Sequence, residues 1–197
     1  MSLSFALLTV IAQASVVAAL LLWWFGRRSG RARRVRDAVL REVDGSVLWL
    51  AWGVAVIATA GSLYYSEVAG FTPCELCWYQ RIAMYPLVVL LGIAAWRNDR
   101  GVARTALPLA GIGGTISTLH YLIQRFPDLA GGGSCEPTAP CTATLVWRLG
   151  YVSIPLMALS GFLLIGTLVL VGTRRRRGRA PAEEVTRDAI AEEAAQT

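Results

Sequence analysis

Four cysteines carry the reactive potential of this chain: Cys74, Cys77, Cys135 and Cys141. The first two stand in the run Pro73-Cys74-Glu75-Leu76-Cys77-Trp78-Tyr79-Gln80-Arg81. A Cys-x-x-Cys pair is suited to thiol–disulfide exchange, in which a thiolate attacks a disulfide sulfur. Thiolates form readily at a helix N-terminus or beside a cation. Pro73 fits the turn ahead of a helix, so residues 74–77 are expected to form its first turn. Arg81 lies four residues beyond Cys77, one turn along on the same face, where it could stabilise the Cys77 thiolate. Cys135 and Cys141 make a second pair, with five residues including Pro137 and Pro140 between them. That spacing is unlike the short knuckles of structural zinc sites, so no metal is expected. No His follows Cys77, which excludes covalent c-type haem attachment.

The elements that must position these groups are apolar. Of the 197 residues, 55% are hydrophobic and 16% charged. Five apolar stretches, at about 3–25, 46–66, 78–96, 105–123 and 154–172, are each long enough to cross a ~30 Å hydrocarbon core as a helix. None contains an acid, and Arg81 and His120 are the only basic groups within them, both toward ends. The expected fold class is an all-α integral membrane protein.

All 19 basic side chains are arginine. Sixteen follow the first, third and fifth stretches, in 27–41, 97–104 and 174–187; only Arg81, Arg125 and Arg148 fall on the other side. The positive-inside rule then places the N-terminus outside and the C-terminus in the cytoplasm. All four cysteines fall on the outer side, where disulfides persist. The Cys-x-x-Cys is thereby set at a membrane surface, within reach of a lipid-soluble electron carrier, and Arg81 could also hold the oxygen of a reduced quinone. The basic residues sit in short loops beside spans, so they read as topology and lipid-headgroup signals and not as a nucleic-acid surface. Ala12-Gln13-Ala14 looks like a signal-peptidase site, but the apolar run continues to Phe25 and no basic segment precedes it. A retained first helix is expected.

The organisation expected from this pattern is an extra N-terminal transmembrane helix over 1–25 and a basic cytoplasmic connector over 26–45. A four-helix transmembrane core over 46–172 and a disordered cytoplasmic tail over 173–197 follow. Val35, Ala38, Val39 and Val43 have helical spacing within the connector, which reads either as an amphipathic helix on anionic lipid or as a solvated linker. The loop at 124–153 is rich in Gly and Pro. Trp23, Trp24, Trp49, Trp52 and Trp96, with Tyr64, Tyr65 and Tyr79, fall where interfacial belts would lie.

A disulfide relay needs one pair that meets a protein substrate, one that meets a terminal acceptor, and a path between them. The two cysteine pairs can supply this. Taken singly the same residues have plainer readings. Two outer disulfides can merely staple loops, an arginine at a span end is ordinarily a snorkelling anchor, and His120 can be a packing residue or, being ionisable at depth, a functional one.

Residues 46–172 resemble the DsbB family of membrane disulfide-generating oxidoreductases, in particular its short-loop, BdbC-like branch. The resemblance rests on the Pro73 to Arg81 motif, on Leu119-His120-Tyr121-Leu122, on the Cys135/Cys141 pair and on Ile154-Pro155 opening the last span. It implies a four-helix bundle in a bacterial cytoplasmic membrane. That bundle would reoxidise a soluble, extracytoplasmic thioredoxin-fold oxidase of the DsbA/BdbD type and pass electrons to a membrane quinone, menaquinone or ubiquinone. Carried over by position, Cys77 would be the thiol beside the quinone and Cys74 its exchanging partner. Cys135 would be the sulfur attacked by the soluble partner, and Cys141 would complete the outer pair. Arg81 would bind the quinone, with His120 near it. Two features depart from the family pattern: the additional N-terminal span, and the closeness of the outer pair. Two alternatives remain beside this reading. One is a vitamin K epoxide reductase-like enzyme, in which the Cys-x-x-Cys would normally come late in the chain. The other is a non-enzymatic scaffold or metal-handling protein with structural outer disulfides.

Overall fold

In a computed structural model the protein is described over residues 2–43, 45–130 and 140–173. Six helices make up this structure: α1 (Ser2–Gly26), α2 (Gly30–Val43), α3 (Val47–Leu63), α4 (Glu75–Arg97), α5 (Ala103–Arg125) and α6 (Ile154–Thr173). All but α2 are long and apolar enough to span a bilayer. The chain is an all-α, multi-pass membrane protein, with a four-helix bundle of α3 to α6 and an additional span in α1. Among the described residues the only β-pairing is an isolated bridge between Arg148 and Val152. The expected tail, from Arg174 onward, lies outside the described residues.

Small residues let these helices approach closely, as packing within lipid requires when no hydrophobic drive separates helix from solvent. On α3, Ala51 and Ala55 are fully buried. On α5, Ala106, Ala110, Gly113 and Ser117 line the buried face at helical spacing. The larger groups fill the space so opened: Leu87 and Leu91 of α4, with Phe162, Ile165 and Val169 of α6. Phe162 sits so tightly on Gly113 that a Cβ there would overlap its ring.

Chain direction alternates, so the ends of α3 and α5 and the starts of α1, α4 and α6 gather at one end of the bundle. There α3 widens into a π-turn at Tyr64–Val68, a rare geometry that often marks functional sites. At the opposite end Trp23 and Trp24 stack under Arg27 and Arg28, with guanidinium-to-ring distances of 4.9 and 4.8 Å. Next to them α2 forms over the expected connector, with none of its residues buried.

Candidate active site

The site begins with the start of α4. Cys74 is its N-cap, in extended conformation, and Glu75 opens the helix. Cys77 lies in the first turn. The two thiols are not disulfide-bonded, and their Sγ atoms are 3.0 Å apart. Cys74 is only 7% exposed. Its Sγ also lies 3.6 Å from Nε2 of His120, which α5 carries in from across the bundle. The other ring nitrogen, Nδ1, meets Nε2 of Gln80 at 3.2 Å. Gln80 thus orients the imidazole from the helix that carries the cysteines. The Cys74 thiol is held well below the ordinary range, first by its hydrogen bond from Cys77 and then by His120, against the opposing effect of burial.

Arg81 follows one turn further along α4. It is 8% exposed, donating from Nε to Ser62 Oγ at 2.9 Å and from Nη2 to the Ser62 carbonyl at 3.0 Å. Its guanidinium also lies 5.1 Å from the Trp78 ring centre. Ser62 is the last turn of α3 before the π-turn, so Arg81 ties α4 to α3 at the height of the cysteines.

Two cavities meet at this pair. The larger, about 330 Å³, is mainly apolar and is lined by Cys77, Arg81, Ser62, Tyr65, Tyr85 and Met157, with residues of α1 completing it. The hydroxyls of Tyr65 and Tyr85 are buried with no hydrogen-bond partner among the described residues. The smaller cavity, about 270 Å³, is lined by Cys74, Cys77, His120, Gln124, Pro140 and Ala143. Cys77 lines both; Cys74 and His120 line only the smaller one. His120, expected beside the acceptor together with Arg81, is thus placed on the Cys74 side.

Of the second pair, Cys141 is disulfide-bonded and 1% exposed. It packs with Cys74 and Ile123 in one small buried cluster, against which Leu76 and Cys77 lie. Gln124 secures the adjoining loop through its Nε2 on the Ala143 carbonyl, 3.0 Å away. Cys135 lies outside the described residues. The donor atoms of Cys74, Cys77 and His120 all fall within 4.8 Å of one another, so a soft metal could use them. Yet two thiolates on one tetrahedral zinc stand about 3.8 Å apart at a Zn–S length of ~2.3 Å. The Cys74 and Cys77 sulfurs here stand 3.0 Å apart, closer than that.

Several residues of the site had no signal of their own in the sequence. Gln80 and Ser62 are ordinary polar residues near span ends until α4 is set against α5 and α3. Tyr65, expected in an interfacial belt, is buried at the cavity with its ring stacked on Phe71, their centres 5.9 Å apart. The signal that could have found Gln80 is its place in the cysteine motif, one turn beyond Cys77.

Comparison with known proteins gives one consistent result. The family model described as disulfide bond formation protein DsbB matches residues 45–172. Disulfide bond formation protein C of Bacillus subtilis is 49% identical over 118 residues, covering 60% of this chain and 86% of that protein. A probable disulfide formation protein of Oceanobacillus iheyensis is 46% identical over 138 residues, 68% of this chain and 94% of the relative. A probable disulfide formation protein of Coxiella burnetii is 42% identical over 134 residues, 68% and 91% of the two chains. No solved structure gives a significant match.

Proposed function

This chain belongs to the DsbB family of disulfide bond formation proteins, and on that premise we propose that it is a thiol:quinone oxidoreductase. It reoxidises a soluble thioredoxin-fold disulfide donor and passes the electrons to a membrane quinone. The observation that carries this reading is the position of Cys77 between the two cavities. One side offers an apolar space with a buried guanidinium and two unpartnered phenols, which fits a planar, lipid-soluble molecule with carbonyl oxygens. The other side offers Cys141 in the same small buried cluster as Cys74 and Ile123.

The relay runs as follows on this reading. A thiolate of the partner attacks Cys135 of a Cys135–Cys141 disulfide. The partner's second thiolate closes its own disulfide and leaves both loop sulfurs reduced. Cys141 then attacks Cys74 of the oxidised Cys74–Cys77 pair, expelling Cys77 as a thiolate at the edge of the apolar cavity. Cys135 attacks Cys141 to restore the loop disulfide, and Cys74 is released as the thiolate that His120 holds. Arg81 binds a carbonyl oxygen of the acceptor and balances charge developing there. A quinone held in the cavity by Arg81 would supply the two-electron, two-proton acceptor that lets the Cys74–Cys77 pair close again. The arginine distribution supports an outer location for the cysteines and a cytoplasmic C-terminus.

The test is quinone reduction by the purified protein in detergent, with a reduced thioredoxin-fold protein as donor, comparing wild type with Cys77→Ser. Consumption of quinone by wild type alone is expected. A folded wild type that consumes neither ubiquinone nor menaquinone analogues overturns the reading.

A further inference from the structure

We propose that α1 is a working part of the acceptor site: it forms the wall of the cavity beside Cys77 and so sets which acceptors fit there. This rests on the reading that the cavity holds the quinone. The helix lies outside the residues matched by the family, so its role has to come from its own contacts. Five of its residues, Phe5, Leu8, Thr9, Ile11 and Ala12, line the same cavity as Cys77 and Arg81. Its covered positions include Phe5, Ala6, Thr9, Ala12, Gln13, Val16, Ala19 and Leu22, at the three- and four-residue spacings of an inward helical face. Leu7, Val17, Leu20 and Leu21 are exposed and apolar, as a lipid-facing side requires.

The wall is fastened at two points. Gln13, a polar residue within a span, donates from Nε2 to Ser160 Oγ of α6 at 3.1 Å, and its Oε1 accepts from the Tyr151 hydroxyl at 3.2 Å. Nearer the helix start, Phe5 packs against Tyr64 and Tyr65, with ring centres 6.0 and 5.7 Å away. Gly61 makes room for it: a Cβ there would come within 3.1 Å of the Phe5 ring. Phe5 thereby braces Tyr65, whose unpartnered hydroxyl lies in the cavity wall. With α1 absent, that side of the cavity would open toward lipid acyl chains. With α1 in place, the space beside Cys77 is bounded by α1 residues such as Ala12 as well as by Arg81.

The experiment uses the full chain in lipid nanodiscs. Steady-state quinone reduction is measured for wild type, for Ala12→Trp, which fills the cavity from α1, and for Leu20→Trp, a lipid-facing control on the same helix. An azido-quinone is photolysed on wild type and the labelled peptide mapped. Expected are a Michaelis constant for quinone raised about tenfold or more in Ala12→Trp, an unchanged constant for the thiol donor, unchanged kinetics in Leu20→Trp, and label on the peptide spanning residues 5–12. Should Ala12→Trp fail to fold, Thr9→Leu with the same readouts takes its place. A wild type that reduces quinone, with Ala12→Trp kinetics equal to it and no label on α1, overturns the proposal and leaves the thiol:quinone reading standing. A wild type that reduces no quinone overturns that reading itself, and this proposal with it.

Discussion

Replacing His120 by leucine tests whether the imidazole sets the reactivity of Cys74. The substitution keeps an apolar volume in the buried site and removes the nitrogen that lies 3.6 Å from Cys74 Sγ. A hydrogen bond to a charged group contributes about 1.5–3 kcal/mol, and ~1.36 kcal/mol corresponds to one pKa unit. Cys74 should therefore become harder to ionise by about one to two units, with the hydrogen bond from Cys77, the larger cause of its acidity, still in place. The assay is the pH dependence of iodoacetamide alkylation at Cys74 in the fully reduced protein, resolved by peptide mass spectrometry. In wild type the rate should be flat across neutral pH and fall only in acid. In His120→Leu the fall should begin about one to two units higher, with little difference left at pH 8. Gln80→Leu, which removes the partner of Nδ1 at 3.2 Å, should move the profile the same way by less. Superimposable profiles for wild type and His120→Leu would refute the assignment of His120 as the thiolate's partner.

Further outcomes follow from the same geometry. Arg81→Lys keeps the charge but loses the planar fork that grips Ser62 through Nε and Nη2; the Michaelis constant for quinone should rise about tenfold, or ~1.4 kcal/mol, and an unchanged value would make Arg81 a packing anchor only. Gly113→Leu drives a side chain into the Phe162 ring and should cost about 1–3 kcal/mol of stability, read as a lower melting temperature in detergent. Gly114→Ala, whose Cβ would meet Phe162 Cβ at an ordinary 3.8 Å, should melt like wild type. Because folding depresses the Cys74 pKa, Cys74 should contribute stability to the reduced protein that grows as pH rises from the lower folded value toward the unfolded thiol value of about 8.5. That contribution is lost as pH falls through the lower folded value, a slope that Cys74→Ala should lack in denaturation measured across pH.

The spans and the cysteine motif were legible because each is a one-dimensional signal. Five apolar runs of bilayer length cannot be anything but helices in lipid, and Pro73 ahead of Cys74 correctly anticipated the start of α4. What stayed hidden depends on register between helices. Gln80 and His120 are 40 residues apart in sequence, and no local pattern says that α4 and α5 will bring them together. That the His120 ring faces Cys74 and lines a different cavity from Arg81 likewise shows only in the packed bundle. Tyr65 looked like a headgroup anchor because position along the span was all that could be read. The π-turn that rotates it inward has no sequence signature. Likewise α1 read as an accessory span, since a stripe of small and apolar residues says nothing about which cavity it will close.

The asymmetry between the two cysteines gives the site its direction. In the proposed relay Cys141 attacks Cys74, and the two residues share one small buried cluster with Ile123. The sulfur displaced by that attack is Cys77, which borders the apolar cavity. A thiolate expelled there lines the same cavity as Arg81. Its stable outcomes are to re-form the disulfide it left or to give its electrons to whatever occupies the cavity. Cys74, released in turn when the loop pair closes, lands beside His120 on the polar side, where a thiolate is stabilised and a proton can be exchanged. In the proposed relay, exchange with the partner and transfer to the acceptor would fall on opposite sides of one pair of sulfurs, so that a lipid-soluble oxidant and a water-soluble thiol would use the same centre without meeting. On this argument, enlarging the polar cavity should uncouple the two halves: Gln124→Ala, which frees the loop at Ala143, should let small soluble thiols reduce the Cys74–Cys77 pair directly. The measurement is dithiothreitol-driven quinone reduction in a Cys135→Ser background, where the normal route is closed. A rate that does not rise on adding Gln124→Ala would mean that the loop does not guard Cys74.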